Sequence, residues 1–332
     1  MFENPLEDVT QRALTGDLPE ESLVVRLLAE AHERYADLDD GTVADYIPAL
    51  AEADPSLFGL ALVEADGTTH LAGDTAEPFT IQSISKAFVL ALVLDAIGHE
   101  EMHRVVGVNN TGLPFDSVIA LELNRGSPMN PMVNAGAIAT TALLPGGWLS
   151  VLEGLSRFAG RSLELDERVL RSESETNHRN QGIADLLTSY GRLAGSPEEM
   201  VEVYTRQCSL LVTAEDLAVM GATLADGGLN PVTGEQVVTT EACRDTLAVL
   251  AACGMYELSG EWQFEIGLPA KSGVSGGIVA IAPGKGALGA FSPPLDRAGN
   301  SVRGQRACAH LSRSLGLNLF ASAPRGEAHR EG

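Results

Sequence analysis

Two strand-like hairpin patterns at opposite ends of the 332-residue chain constrain its fold most strongly. In the first, over residues 56–74, LFGLALVEA and TTHLAG flank an Asp-Gly turn of the kind that closes hairpins. In the second, over 276–292, GGIVAIAPG and KGALGAFS are apolar runs punctuated by glycine. The residues from 83 to about 250 show mostly helical patterns, as in TAEDLAVMGATLADGG with its capping box. Strands that enclose a helical middle predict an α+β fold, with a central antiparallel sheet flanked by helices plus a mainly helical subdomain.

The same patterns divide the chain into segments. Residues 1–20 are expected to form a flexible leader, and residues 321–332 a disordered tail. Everything between them is expected to be a single domain. Its sheet subdomain combines residues of about 21–80 with those of about 255–320, and its helical subdomain covers about 83–250.

Charge and hydropathy exclude several classes of partner. The net charge of −23 disfavours nucleic acid and anionic membrane surfaces. The longest apolar run, 87–94, is far shorter than the roughly 20 residues that span a bilayer. The N-terminus is acidic and lacks the apolar region of a signal peptide, and the four cysteines form no C-x-x-C pair. We therefore expect a cytoplasmic protein with reduced thiols and no membrane or nucleic-acid partner.

The segment QSISKAFVLALVLDAIGHEEMH, residues 82–103, contains two incompatible enzyme signatures. One is H-E-x-x-H from His99 to His103, which binds zinc when both histidines share one helix. Gly98 breaks the helical pattern just before it, Glu101 puts a charge where such helices are apolar, and no third ligand follows in a clear helical context. This half of the segment is interpreted as an exposed, charged turn, and no metal or other cofactor is expected.

A second motif also has a structural explanation. GVSGG, residues 273–277, matches the G-x-S-x-G of serine hydrolases, and Asp296 and His310 follow in the expected order. A nucleophile elbow leads from a strand into a helix, whereas here the glycines lead into the strand-like IVAIA. The motif is interpreted as a glycine-rich turn at a sheet edge.

The other signature in residues 82–103 is the S-x-x-K of Ser83 and Lys86, which share a face if they lie on a helix. The apolar AFVLALVL that follows predicts a buried helix, where desolvation would lower the pKa of the lysine and make it a base for the serine. Taken alone, the motif fits a serine cap with a snorkelling lysine equally well. The chain has only three lysines, however, and a second one, Lys271, begins a late K-S-G triad. An early S-x-x-K followed by K-[ST]-G is the order found in penicillin-recognising serine enzymes.

Several longer blocks narrow the family: ADYIPAL, FTIQSISKAF, NPMVNAGAI, SESETNHRN, VEVYTRQCSL, CGMYELSG and GLPAKSGVSGGI. Together they resemble the serine-dependent glutaminases, which have a β-lactamase-like fold, and the resemblance extends from about Tyr46 to Leu319. The S-D-N element of true β-lactamases is not evident.

The resemblance implies an L-glutamine amidohydrolase that forms an acyl-enzyme. Ser83 would be the nucleophile, Lys86 its base and Tyr256 a proton donor to the departing ammonia. The backbone N–H groups of Ser83 and Val274 would form the oxyanion hole. The implied substrate-binding residues are Tyr46, Ser83, Asn134, Glu173, Asn180, Tyr204, Tyr256 and Val274. Glu173 would bind the α-ammonium group of glutamine, and the amides and tyrosines its carboxylate.

Alternatives stay open at several of these positions. Tyr204 could be a core tyrosine, Asn134 a helix cap, and Glu175 could replace Glu173 as the pocket carboxylate. Ser85 is a rival nucleophile, although its side chain should diverge from that of Lys86.

Two further functions also fit the sequence: another acyl-transfer enzyme of the same fold, such as a β-lactamase or D-alanyl peptidase, or a non-catalytic amino-acid-binding protein. A homodimer or homotetramer is expected, although the residues do not distinguish the two.

Overall fold

The computed structural model describes residues 18–322, so most of the expected leader and tail lie outside the described residues. The helices are α1 Glu21–Tyr35, α2 Ser85–Ile97, α3 His99–Val105, α4 Val118–Leu123, α5 Asn134–Leu143, α6 Gly147–Ala159, α7 Glu167–Thr176, α8 His178–Ser189, α9 Pro197–Cys208, α10 Ala214–Ala225, α11 Thr240–Cys253, α12 Ser259–Glu265 and α13 Val302–Ser314. The strands are β1 Gly59–Glu64, β2 Thr69–Gly73, β3 Phe79–Thr80, β4 Glu164–Leu165, β5 Leu210–Val212, β6 Ala270–Ser272, β7 Gly277–Ala282 and β8 Gly286–Phe291.

The two hairpins expected from the sequence join in one antiparallel sheet of five strands, in the order β2-β1-β8-β7-β6. Strand β8 is the junction: Phe291 pairs with Gly59 of β1 on one side and with Gly277 of β7 on the other. The predicted α+β fold with a central antiparallel sheet is therefore confirmed, and the sheet is assembled from both ends of the described chain.

Each face of this sheet is covered by helices because its strands alternate between two apolar cores. On β1, Leu60 and Leu62 pack with residues of α1, α12 and α13, whereas Ala61 and Val63 join the larger core that contains α10. Helix α10 lies so close to the sheet that a Cβ on Gly289 would overlap the backbone of Ala214. The predicted capping box at the start of α10 is present, so sequence and packing agree on where this helix begins.

Helix α2 is buried along its first ten residues, from Ser85 to Leu94, as its apolar pattern predicts. It packs between α5, α6 and α11. Gly98 ends it with a φ of 83°. Within residues 18–322 no single helix has the length and apolarity to cross a membrane, although α5 and α6 pass that test as a pair bent by 101°.

The H-E-x-x-H residues form the short helix α3 at the surface, so the expected turn is wrong and His99 and His103 do share one helix. Its first histidine, His99, is bonded through Nδ1 to Asp245 at 2.7 Å, and its side chain is 55% exposed. Glu101 forms an ion pair with Arg104. Across the part of the chain that the structure describes, no group of three or more His, Cys, Asp or Glu side chains is arranged to hold a metal ion.

A second, three-stranded sheet has the order β3-β5-β4. Strand β3 ends immediately before the Ser83 segment, and its continuation is fixed by a 2.8 Å hydrogen bond from Ile81 N to the carbonyl of Leu210. This small sheet therefore determines how the chain enters α2.

Candidate active site

Ser83 lies in a single 3-10 turn, Gln82–Ile84, which runs directly into α2. Gln82 has a φ of 50°, a conformation that costs free energy for a residue other than glycine. Ser83 is 8% exposed, in agreement with the expected position at the buried start of the helix.

Ser85, the rival nucleophile, is fully buried and its hydroxyl has structural partners. It donates to the carbonyl of Gln82 at 2.7 Å and accepts from Nε2 of Gln207 at 2.9 Å. Its hydroxyl therefore secures the 3-10 turn to α9.

Lys86 is 1% exposed on the first turn of α2. Its Nζ donates to Oδ1 of Asn134 at 2.7 Å and to the carbonyl of Met132 at 3.2 Å. The rings of Phe115 and Tyr204 each have their centres 5.8 Å from this nitrogen. Burial among these neutral groups lowers the pKa of Lys86 to about 8, although the nearby carboxylates of Glu173 and Asp116 act in the opposite direction.

Tyr256 brings a phenol to the serine. Its hydroxyl donates to the carbonyl of Ser272 at 3.2 Å. Its backbone φ is 55°, so a second strained residue lies near Ser83. Burial raises the pKa of the phenol to about 12, because desolvation outweighs the effects of Ser83 and Ser272, which lower it.

Val274 lies in the turn between β6 and β7, which the structure places against the Ser83 turn. A Cβ on Gly273 would be 3.0 Å from the carbonyl oxygen of Ile81, and the Ser275 hydroxyl donates to the carbonyl of Thr80 at 2.6 Å. The G-x-S-x-G residues thus form a strand-to-strand turn, as the sequence interpretation holds, and Ser275 has a structural bond.

Asn134, Asn180 and Tyr204 form one hydrogen-bonded group beside Lys86. Asn134 donates from Nδ2 to Oδ1 of Asn180 at 2.9 Å, and the Tyr204 hydroxyl donates to Oδ1 of Asn134 at 3.4 Å. Asn134 makes no side-chain cap at the start of α5. Tyr204 is 2% exposed, and burial raises the pKa of its phenol well above the usual range.

Glu173 on α7 is the buried carboxylate of the site, whereas Glu175 is exposed. Its Oε2 accepts from Nε2 of Gln82 at 3.4 Å. Burial raises the pKa of Glu173 to about 7, and the Gln82 hydrogen bond and the charge of Lys86 only partly offset this rise.

Tyr46 stands at the rim. More than half of its surface, 55%, is exposed, yet neighbouring atoms surround its phenol closely enough that burial raises its pKa above the usual range. Tyr256 and Glu173 contribute to the same rise.

Three residues near the nucleophile are absent from the set that the sequence predicts. The Phe115 ring packs at a tilt of 41° against the Tyr256 ring, with 5.0 Å between their centres, and Gln82 bridges the serine turn to Glu173. Lys271, which the sequence identifies only as the first residue of the K-S-G triad, has its Nζ 4.0 Å from the centre of the Tyr256 ring. Gln82 adjoins Ser83 in sequence, but nothing in the residue pattern signals its backbone strain or the position of Phe115.

The assembled group has the components of acyl transfer: a buried hydroxyl, a lysine with a lowered pKa and a phenol near the hydroxyl. It also contains a buried carboxylate for a cation, with amide and hydroxyl groups beside it. The binding set is therefore suited to a small ligand that carries both charges.

Known proteins resemble the chain over most of its length. A family model described as Glutaminase matches residues 41–320. Glutaminase 2 of Yersinia pestis is 52% identical over 315 residues, which cover 93% of this chain and 93% of that protein. A glutaminase of Brucella canis is 52% identical over 287 residues, which cover 85% of this chain and 90% of that protein.

Solved structures agree with these relatives. A probable glutaminase, ybaS, superposes with a TM-score of 0.90 at 43% identity and covers 92% of this chain and 100% of its own. The L-glutamate binding form of Mglu, solved in 4.3 M NaCl, superposes with a TM-score of 0.86 at 41% identity, covering 92% and 71%. The fold is accordingly β-lactamase-like. Sequence, family model and structure agree that this chain belongs to the glutaminase family.

Proposed function

We propose that this chain hydrolyses the side-chain amide of L-glutamine to L-glutamate and ammonia through an acyl-enzyme on Ser83. The names of its relatives support the reaction, and the L-glutamate bound by Mglu is the product that such a reaction leaves. The observation that carries the mechanism is the buried Lys86, whose pKa of about 8 leaves part of the amine neutral near pH 7.

In the first half of the reaction, the Lys86 amine accepts the proton of the Ser83 hydroxyl as Oγ attacks the amide carbon. A C–O bond forms, and the carbonyl electron pair moves onto oxygen. Collapse of this intermediate breaks the C–N bond. Tyr256 gives its proton to the departing nitrogen, which leaves as ammonia, and regains a proton from the Lys86 ammonium.

The second half repeats these transfers with water. Lys86 takes a proton from a water molecule as the water oxygen adds to the ester carbon, and the C–Oγ bond then breaks. Ser83 recovers its proton, and L-glutamate is released. The proximity of Ser83 to Tyr256, which lowers the pKa of the phenol, supports a phenol near the reacting oxygen in both halves.

The backbone N–H groups of Ser83 and Val274 are proposed to bind the oxyanion. Among the hydrogen bonds of residues 18–322, neither nitrogen donates to a protein acceptor. The close approach of Gly273 to Ile81 supports two N–H groups on one site, because a side chain there would separate the turns.

Glu173 is proposed to bind the α-ammonium group and thereby to select an amino-acid substrate. A cation beside it would favour the ionised carboxylate, whose pKa burial raises to about 7. The Asn180 amide accepts from Asn134 through Oδ1, so its Nδ2 is a proposed donor to the α-carboxylate, together with the Tyr46 hydroxyl. The Tyr204 hydroxyl can join them by exchanging its 3.4 Å hydrogen bond to Asn134 Oδ1 for one to the substrate.

We further infer a homodimer or homotetramer that works in the cytoplasm. Four buried free cysteines support a reducing compartment, and the exposed Ile119 and Leu123 of α4 support a surface that a second copy covers. Light scattering after size exclusion measures the mass directly. A monomer at micromolar concentration would contradict the oligomer.

Ammonia release from L-glutamine, with EDTA present, tests the reaction. The parent chain should be active, Ser83→Ala should lose at least about 10³-fold in kcat, and Lys86→Ala about 10²- to 10⁴-fold. Loss of parent activity on chelation would instead support zinc at His99 and His103. Hydrolysis of nitrocefin without glutamine turnover would identify a β-lactamase-like enzyme, and binding without turnover would identify an amino-acid binder.

A further inference from the structure

Lys271 is a buried basic group to which the proposed reaction assigns no task. It lies on β6, is 0% exposed and faces the reaction centre. Within residues 18–322 its Nζ has one hydrogen-bond acceptor, the carbonyl of the adjacent Ser272 at 2.9 Å. A buried amine with a single acceptor costs stability, so its presence calls for a reason other than folding.

The neighbour of Lys271 is Tyr256. Nζ lies 4.0 Å from the centre of the phenol ring, within the range where an N–H donor or a cation is attracted to the ring face. The carbonyl of Ser272 that binds Nζ also accepts the Tyr256 hydroxyl at 3.2 Å. Lys271 therefore contacts the ring and shares the acceptor of its hydroxyl.

Tyr256 needs such support because its backbone is held in an unfavourable conformation. Its φ of 55° is strained, and it begins the short 3-10 turn Tyr256–Leu258. Two residues earlier, a Cβ on Gly254 would overlap the carbonyl of Ala270, so the segment is fixed against β6. Strand β6 thus holds both the backbone of the tyrosine segment and the amine over its ring.

We propose that Lys271 is a positioning residue that holds the Tyr256 phenol at Ser83 in the geometry for proton transfer. The inference rests on the proposed reaction and deepens it. Burial, aided by the charge of Lys86, lowers the pKa of Lys271 well below its usual range. The neutral amine still donates N–H groups to the Ser272 carbonyl and the ring, and it places no second positive charge beside the base.

Lys271→Met keeps the length of the side chain and removes its donors. We expect kcat for L-glutamine to fall roughly 10- to 100-fold, the cost typical of a displaced catalytic group, while KM changes less than about threefold. The matched control is Lys285→Met, because Lys285 is a buried lysine at the β7–β8 turn, at the opposite end of these strands from Val274. This control should leave kcat and KM as in the parent.

A double-mutant cycle with Tyr256→Phe separates positioning from a general loss of structure. If Lys271 acts through the phenol, Lys271→Met should reduce kcat by less than about threefold once Tyr256→Phe is present. An undiminished loss in that background, or a parent-like kcat for Lys271→Met alone, would overturn the inference while leaving the proposed reaction intact.

Parent-like activity of Tyr256→Phe would instead overturn the proposed role of Tyr256, and the inference with it. Thermal unfolding of every variant checks the fold. If Lys271→Met does not fold, Lys271→Gln, which shortens the side chain and keeps a weaker donor, enters the same cycle with the same two expectations.

Discussion

Nζ of Lys86 donates a 2.7 Å hydrogen bond to Oδ1 of Asn134, so the buried amine is held by a neutral amide. Its second acceptor, the carbonyl of Met132, is also neutral. Neither neutral partner compensates for the hydration that a buried ammonium loses, so the pKa of Lys86 falls to about 8. Because the partner is an amide and not a carboxylate, part of the Lys86 amine stays neutral near neutral pH, as its proposed role as a base requires.

Asn134→Asp should reverse this effect with little change of shape. A carboxylate 2.7 Å from the ammonium should raise the pKa of Lys86 by roughly 1 to 3 units. Activity that requires the neutral amine is then lost at pH 7 and partly recovered on the alkaline side. The pH dependence of kcat measures the displacement. An acid limb that stays at its parent position would contradict the role of Lys86 as base.

Glu173→Gln tests recognition of the α-ammonium group. Loss of a charge-assisted hydrogen bond should raise KM for L-glutamine roughly 10- to 100-fold, with a smaller change in kcat. Glu175→Gln, two residues away on the exposed side of α7, is the control and should behave as the parent. If the two changes had equal effects, Glu173 would not be the residue that binds the α-ammonium group.

The pH dependence of kcat/KM should contain both groups on its acid side. Lys86 becomes charged as the pH falls through about 8, and Glu173 becomes neutral as it falls through about 7. Both changes remove the active form, so kcat/KM should decrease toward acid pH and approach a steeper, two-proton slope below pH 7. In Glu173→Gln the slope should reduce to that of one proton. A parent profile that is flat from pH 6 to 8 would contradict both assignments.

Local patterns were sufficient to predict much of the fold. The strand-like runs around Asp66-Gly67 and the glycine-punctuated apolar runs along 276–292 give the two hairpins, and Gly98 gives the end of α2. The hairpins and the end of α2 depend on residues close together in sequence, so a local sequence pattern can predict them. The S-x-x-K and K-S-G motifs likewise identified Lys86, which lies over the Phe115 ring, and Lys271, which lies over the adjacent Tyr256 ring.

Other features depend on contacts that no local pattern contains. Lys86 meets Asn134 across 48 positions, and α10 lies on the sheet at Gly289. The positive φ angles of Gln82 and Tyr256 occur at residues that normally avoid them, so propensity argues against the observed conformation. These angles persist because surrounding packing outweighs the local preference, and they occur at the residue before Ser83 and at the tyrosine that is proposed to act on it.

Ser85→Ala distinguishes structure from chemistry at the two serines. The change removes a donor to the Gln82 carbonyl and leaves Nε2 of the buried Gln207 without this acceptor. We expect a loss of about 1 to 3 kcal/mol in the free energy of unfolding and kcat within about tenfold of the parent. Chemical denaturation and ammonia release measure the two. Complete loss of turnover in folded Ser85→Ala, with activity retained in Ser83→Ala, would make Ser85 the nucleophile and Ser83 the structural serine.

Gly273→Ala tests the close approach of the two turns that are proposed to bind the oxyanion. A methyl group there would lie 3.0 Å from the Ile81 carbonyl oxygen and 3.2 Å from Cγ1 of Ile84, tighter than ordinary packing allows. Because both neighbours belong to the Ser83 turn or its approach, the β6–β7 turn must move outward and carry Val274 N–H with it. An oxyanion exists only during the reaction, so kcat should fall about tenfold or more while KM changes little.

Gly182→Ala is the matched control, since its added methyl group meets nothing within 4 Å on the exposed side of α8. It should leave kcat unchanged and raise the free energy of unfolding by up to about 1 kcal/mol, because alanine favours a helix interior over glycine. A parent-like kcat for Gly273→Ala would show that the chemistry tolerates separation of the turns. Val274 N–H would then have no part in binding the oxyanion, and its donor would have to come from elsewhere in the site.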